Sequence, residues 1–304
     1  MGMLDLGYKD FYSDGEIVEE IVRVLTRERH GKRTRYRLLQ RGSEGFVNQK
    51  LRKSRLADMV WLYEVEGYRG AVVLEFTSTV DPEMPGRMMQ YTARAWRSLE
   101  REFRRTGYER LPLLTPVVIY NGEKPWTVPQ WTGEGLPRGL RNLIPLVWYM
   151  LIDVLHDPLE RWEGCPLMTY ALRLERAAEA TGALGLLAEL QRYLKSAGLS
   201  HLDRSFARLA ARVFFKGELS AEELLAMSEL KQVNTRLQNM LARSREEGER
   251  RALRAGVETV LEARFGAVPG WARKRIKGAS EDELHRWLRR AVTAPSLEAV
   301  FEKD

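Results

Sequence analysis

The sequence predicts an α/β fold, with a mixed sheet flanked by helices over the first half of the chain and an all-α region after it. Three observations carry this expectation. The apolar runs Leu56 to Val65 and Ala71 to Thr77 are separated only by the turn-forming segment Glu66-Gly67-Tyr68-Arg69-Gly70, so they read as a hairpin. Apolar residues at helical spacing precede it (Ile17, Ile21, Val22, Leu25) and follow it (Met88, Tyr91, Ala95, Leu99, Phe103). From about Pro166 the periodicity stays helical to the end.

Each element has local support. Ser13 or Asp14 can cap the first helix, whose acids Glu16, Glu19 and Glu20 sit where the helix dipole favours them. Pro82 and Pro85 open a second helix that runs to about Arg105. Leu113 to Tyr120 is a short strand closed by Asn121-Gly122, and Leu146 to Val154 either adds an edge strand or begins a helix. Ser220-Ala221-Glu222-Glu223 is a capping box. The helix behind it carries Leu230, Val233, Leu237 and Met240, a stripe that favours a core-facing surface over a zipper because it lasts fewer than two heptads. Arg243 to Arg254 is polar and mixed in charge. A helix ending near Phe265-Gly266, a short helix at Trp271 to Ile276, a capping box at Ser280 to Glu283 before Leu284 to Val292, and a turn at Ser296 to Phe301 complete the chain. The expected organisation is a core over 1–165, a helical extension packed on it over 166–225, a polar helical linker over 226–250 and a small helical domain over 251–304.

Charge narrows the function more than composition does. The 304 residues hold 49 Lys+Arg and 42 Asp+Glu, a net +7. Between Arg23 and Arg55, twelve basic residues stand against Glu28 and Glu44, a local +10. That segment includes Lys32, Arg33, Arg35, Arg37, Lys50, Arg52, Lys53 and Arg55, and a block of this kind attracts a polyanion such as double-stranded DNA. The longest apolar run, Leu143 to Ile152, contains Pro145 and falls far short of the ~20 residues needed to span a bilayer. A lone cysteine, Cys165, excludes an internal disulfide framework, and with no signal-like amino terminus a cytoplasmic protein is expected.

Two carboxylates interrupt apolar strands, Asp58 among Leu56, Met59, Val60 and Trp61, and Glu75 after Ala71-Val72-Val73-Leu74. A poorly solvated carboxylate needs a partner. Two readings weigh equally on the residues alone: the pair chelates a divalent cation through oxygen, or each pairs with an arginine such as Arg55 or Arg87. Residue 77 lies on the same strand face as Glu75, about 7 Å along. No glycine-rich phosphate loop, nucleophile elbow, or His or Cys pair at metal spacing is present. His30, His156, His201 and His285 are scattered and read as surface or capping residues, while Trp61, Trp96, Trp148 and Trp287 fall in apolar patterns and read as core.

These residues resemble a known family. Asp5-Leu6-Gly7-Tyr8-Lys9-Asp10-Phe11, Asp58, Val72 to Asp81, Met84-Pro85-Gly86-Arg87 with Tyr91, Leu111-Pro112, and Pro116 to Gly122 with Trp126 are similar to the Rpn family of recombination-promoting nucleases, also called YhgA-like transposases. The tail from Glu246 to Phe301 resembles a helical domain often appended to them. The resemblance implies the PD-(D/E)XK nuclease fold, in which a hairpin bearing Asp and Glu-x-Lys forms a metal site that cuts DNA. Carried over, Asp58 is the metal-binding aspartate and Glu75 the acid of Glu-x-Lys. Thr77 stands where the superfamily has Lys and this family usually Gln. Gln90 or Arg87 on the next helix is then the candidate to take over that role, and Glu16 or Glu20 on the first helix a further metal ligand.

The expected activity is Mg²⁺-dependent DNA endonuclease cleavage. Two rivals remain: a catalytically weak DNA-binding relative on the same fold, and an adaptor whose carboxy-terminal helices drive homo-oligomer formation. A transposase with three acids on an RNase H-like fold lacks a convincing third acid.

Overall fold

The computed structural model describes residues 8–30, 36–41, 59–134, 136–143, 147–177 and 180–302. Its sheet has five strands in sequence order, β1 (Tyr36–Arg41), β2 (Met59–Val65), β3 (Tyr68–Thr77), β4 (Leu113–Tyr120) and β5 (Met150–Asp153). β1, β2 and β3 are antiparallel, and β3, β4 and β5 are parallel, so the sheet is mixed as expected.

The hairpin forms where its turn chemistry places it. Glu66 and Gly67 both take positive φ, 50° and 78°, the handedness that matches the twist of the flanking strands and favours glycine at the second position. β3 is three residues longer at its start than the apolar run alone suggests, because Tyr68, Arg69 and Gly70 pair with Val65, Glu64 and Tyr63. β1 is a strand that the sequence reading did not anticipate. Its Tyr-Arg-Leu-Leu-Gln-Arg composition lacks an apolar run, and it is an edge strand with an irregular register at Leu38/Gln40. The stretch ending at Val154 resolves as strand β5 rather than a helix.

α1 (Gly15–His30) precedes the sheet, and α2 (Met84–Arg105) makes the crossover from β3 to β4. Met84, Met88, Tyr91, Leu99 and Phe103 of α2 are buried. They pack on Val60, Leu62, Ala71, Val73, Val118, Tyr120, Tyr149 and Leu151, which share one sheet face by the period of two. Trp96, one residue off that stripe, is 42% exposed, which corrects its reading as core. The opposite face holds Trp61, whose indole N–H donates to the Tyr12 carbonyl at 3.0 Å, and Phe76, whose ring lies 5.8 Å from Tyr8 and 5.4 Å from Tyr12.

Beyond the sheet the chain is helical: α3 (Pro166–Glu175), α4 (Ala180–Ser196), α5 (Asp203–Phe214), α6 (Ala221–Ala226), α7 (Leu230–Phe265), α8 (Gly270–Gly278), α9 (Glu281–Thr293) and α10 (Leu297–Val300). Ser220 and Ser280 both form complete capping boxes, with Glu223 and Glu283. Leu230, Val233 and Leu237 are buried, as a core-facing stripe requires. The chain separates into two compact units, Met1–Asn234 and Thr235–Asp304. The second has its own core around Val257, Leu261, Ile276, Leu284, Trp287 and Phe301, with the Trp287 and Phe301 rings 4.7 Å apart. No described helix is long and apolar enough to cross a membrane.

Candidate functional site

Glu75 lies two residues before Thr77, the carboxyl end of β3; in the ladder Leu74 pairs with Met59 and Glu75 with Val118. The alternation that buries Ala71 and Val73 under α2 turns Glu75 to the same side, so its carboxylate is 8% exposed beneath the amino-terminal turns of that helix. A carboxylate so placed needs a cation or several donors. Arg87, in the first turn of α2, supplies one: its Nη2 donates to Glu75 Oε1.

Arg87 is held from three sides. Its Nη1 donates to Asp81 Oδ2 at 2.6 Å, its Nε and Nη2 lie 3.4 and 3.3 Å from the Tyr91 hydroxyl, and its Cζ stands 5.7 Å from the Tyr91 ring centre. Burial works against the guanidinium charge, but the bonds to Asp81 and Tyr91 and the charge of Glu75 outweigh it and hold the group above its ordinary pKa. Asp81 also accepts from the Glu83 amide at 2.9 Å; burial opposes ionisation there, and the bonds from Arg87 and Glu83 overcome it, so Asp81 sits below the usual carboxylate range. Among the described residues, two carboxylates therefore flank one cation, a formal charge of −1 for these three groups. Arg87 remains 36% exposed, so the guanidinium faces the solvent side of the cluster while Glu75 forms its floor.

The other expected residues divide clearly. Asp58 lies outside the described residues, as do Lys32, Arg33, Arg35, Lys50, Arg52, Lys53 and Arg55. Arg37 is on edge strand β1, where it pairs with Glu64 in the ladder. Thr77 shares the Glu75 face but turns its hydroxyl to the backbone two residues on, donating to the Thr79 carbonyl at 3.0 Å and accepting from the Thr79 amide at 3.3 Å. It closes the strand rather than reaching Glu75. Gln90 is exposed on α2. Glu16 pairs with His201 at 2.9 Å, on the helix whose side of the sheet is the Trp61 and Phe76 face, so the structure does not bring it to Glu75. The expected alternative of a Glu75–Arg87 ion pair is the arrangement present.

Asp81 and Tyr91 complete the cluster without having been assigned a role from sequence. Asp81 stands six residues before Arg87, and the helix start between them brings the two together. Among the described residues, no group of three His, Cys, Asp or Glu side chains could hold a metal ion. The oxygens of Glu75 and Asp81 are nevertheless of the hard type that Mg²⁺ prefers, and they already converge on a cation, with the guanidinium as stand-in.

On the opposite face a second polar cluster ties the ends of β3 and β4 to the helical extension. Arg212 of α5 donates to Glu175 of α3, the Tyr8 hydroxyl donates to the same Oε1 at 2.9 Å, and the Arg212 Cζ lies 3.9 Å over the Tyr8 ring. With its amide assigned by its neighbours, Asn121 donates to the Thr77 carbonyl at 3.2 Å and accepts from Arg212 Nη1 at 3.3 Å, its oxygen lying 3.2 Å from the Tyr8 hydroxyl. Gly122 is required beside it, because a Cβ there would stand 2.2 Å from the Tyr120 hydroxyl.

Glu20, expected as a dipole-favoured acid and, with Glu16, as a candidate extra metal ligand, is instead buried against the start of α3. It accepts from the Leu167 and Met168 amides at 3.1 and 2.7 Å, joining α1 to the start of α3, and burial raises its pKa to about 7. Its position three residues after Ile17 and four before Val24, both buried, is the signal that could have placed it inside. Asp153, at the end of β5 in register with Tyr120 and Thr77, holds His156 Nδ1 at 2.8 Å and the Trp126 amide at 3.2 Å, which makes His156 a turn partner as expected of a capping residue.

The family described as "Putative transposase, YhgA-like" matches residues 20–202. A protein of Escherichia coli K12 named "Inactive recombination-promoting nuclease-like protein RpnE" is 24% identical over 155 residues, 49% of this chain and 50% of that protein. The chain thus spans about half the length of the curated relative it matches. No solved structure matches it. The matched span contains the whole sheet, the Glu75 cluster and helices α2 to α4, and the chain belongs to the family described as "Putative transposase, YhgA-like".

Proposed function

We propose that this chain is a slow, Mg²⁺-dependent DNA endonuclease whose working carboxylates are Asp58 and Glu75, and that Arg87, not residue 77, supplies the positive charge next to them. The observation behind this reading is the Arg87 guanidinium on Glu75, tethered by Asp81. In the superfamily pattern the cation or amide reaches the site from the position of Thr77, two residues along the strand. Here that side chain is short and bonded to the Thr79 backbone. The helix that follows the strand brings a longer, permanently charged group to the same carboxylate.

Asp58, Glu75 and waters would hold the ion, which supplies an activated water and stabilises charge on the phosphodiester. The protein's own part is to orient. Arg87 can donate two parallel bonds to a phosphate, which fixes its angle as well as its place. The basic segment from Arg23 to Arg55, with Lys32, Arg33, Arg35, Arg37, Lys50, Arg52, Lys53 and Arg55, would hold the duplex backbone without reading its sequence.

Slowness follows from the same pair. A carboxylate already neutralised by a guanidinium is a weaker metal ligand than a free one, and the relative named as inactive is consistent with a fold in which such sites lose turnover. The test is nicking of supercoiled plasmid with and without Mg²⁺. Wild type is expected to nick slowly and only with the metal, and Asp58→Ala and Glu75→Ala to abolish the activity. If neither variant differs from a nicking wild type, the assignment is wrong. If wild type binds duplex with a steep salt dependence yet never nicks, the chain is the DNA-binding rival.

A further inference from the structure

Resting on that reading, we infer that Arg87 is a latch: it occupies the cation position between Glu75 and Asp81 in the free protein, and a DNA phosphate draws it off, so that duplex DNA and a divalent ion bind with positive cooperativity.

Four features of the cluster lead there. Glu75 and Asp81 both contact the same guanidinium, so a cation is resident before any ligand arrives. Among the described residues, these two carboxylates and the guanidinium sum to −1, a balance attractive to a further cation but already half compensated. Arg87 is four times as exposed as Glu75, 36% against 8%, so a phosphate approaching from solvent meets the guanidinium first. Asp81, 23% exposed and anchored by the Glu83 amide, and Tyr91 give Arg87 a second set of partners, so release of Glu75 does not require the side chain to unfold into water.

The competition sets the sign of the coupling. With Arg87 on Glu75, a divalent ion must displace a charge-assisted hydrogen bond to reach the carboxylate. With Arg87 on a phosphate, Glu75 is left short of one positive charge in a poorly solvated place, and a metal restores it. Each ligand therefore favours the state in which the other binds, and linkage makes the effect reciprocal. The arrangement would keep the site closed to metal until substrate is present, limiting adventitious metal loading.

The experiment is calorimetric titration of the full chain with Ca²⁺, which does not need turnover to be read, in the presence and absence of a short duplex, with Glu75→Gln plus duplex as the blank for ions bound by DNA itself. Wild type should bind Ca²⁺ about tenfold or more tightly with duplex present, within the usual span of a coupling between two sites. Arg87→Gln should bind Ca²⁺ about tenfold more tightly than wild type without DNA, and duplex should add little. Arg87→Lys, which keeps the charge but not the fork, should fall between them and serves if the glutamine variant folds poorly. Arg87→Gln or Arg87→Lys binding Ca²⁺ no better than wild type, while Glu75→Gln abolishes binding, would overturn the latch and leave the metal site standing. Binding unchanged in Glu75→Gln would overturn both.

Discussion

Two Arg–Glu pairs sit on opposite faces of the same strand ends, and they have opposite characters. Arg212 and Glu175 are 6% and 9% exposed, roofed by the Tyr8 ring and joined through Asn121 to the Thr77 carbonyl. Arg87 and Glu75 are 36% and 8% exposed, and the arginine has two alternative partners in Asp81 and Tyr91. The first pair has no open side through which either charge could be exchanged. The second has one buried member and one that faces solvent. Burial on both sides makes an ion pair a fixed joint, because removing either partner strands a charge; burial of only the acid makes it a site from which the base can be drawn. The fixed joint also lies between the sheet and the helices α3 and α5, whereas the open pair lies between neighbouring elements β3 and α2.

That contrast can be broken by substitution, starting with the largest effect. Arg212→Ala leaves Glu175 buried without its partner and should destabilise the first unit by about 3–5 kcal/mol in denaturant unfolding. A loss under about 1 kcal/mol would mean that this cluster is no joint. Next, Glu20 is a second tie between α1 and α3. Its folded pKa is raised to about 7 from 4.5, so the folded state holds the proton more tightly, and stability should fall as pH rises from about 4.5 to about 7. The full effect is on the order of 3 kcal/mol, and Glu20→Gln should flatten that part of the profile. A profile unchanged by the substitution would remove Glu20 from the account.

Asn121→Ala should cost about 1–2 kcal/mol, as a part-buried amide that bridges the strand end to Tyr8 and Arg212 is lost. The smallest effect on stability is expected at Arg87→Gln, about 1 kcal/mol, because the glutamine amide can still donate to the buried Glu75 carboxylate and the guanidinium that is lost was 36% exposed. A loss comparable to that of Arg212→Ala would show that the two pairs do not differ in kind.

What could be read from sequence follows the range over which each signal acts. The hairpin, α2 and the two capping boxes rest on residues within a few positions of each other, and all form as expected. Glu75 was legible because it breaks an apolar run, and even its pairing with Arg87 stood as one of two readings. Asp81 was not, since a polar residue in a Ser-Thr-Val-Asp-Pro turn carries no mark of the arginine six positions later. β1 escaped because Tyr-Arg-Leu-Leu-Gln-Arg carries neither a sustained apolar run nor a strict alternation to mark it as a strand. The joint of Tyr8, Glu175 and Arg212 joins residues 167 and 37 positions apart, a contact that exists only after the helical extension has folded against the sheet.

The most direct test of the difference between the two pairs observes both arginines at once, by side-chain ¹⁵N NMR of the Nε–H groups, assigned with Arg87→Lys and Arg212→Lys. In the free protein both signals should be protected from exchange with water. Adding a short duplex with Ca²⁺ should shift the Arg87 signal and leave that of Arg212 in place. An Arg87 signal that stays fixed at saturating duplex and Ca²⁺, or two signals that move together, would contradict the account.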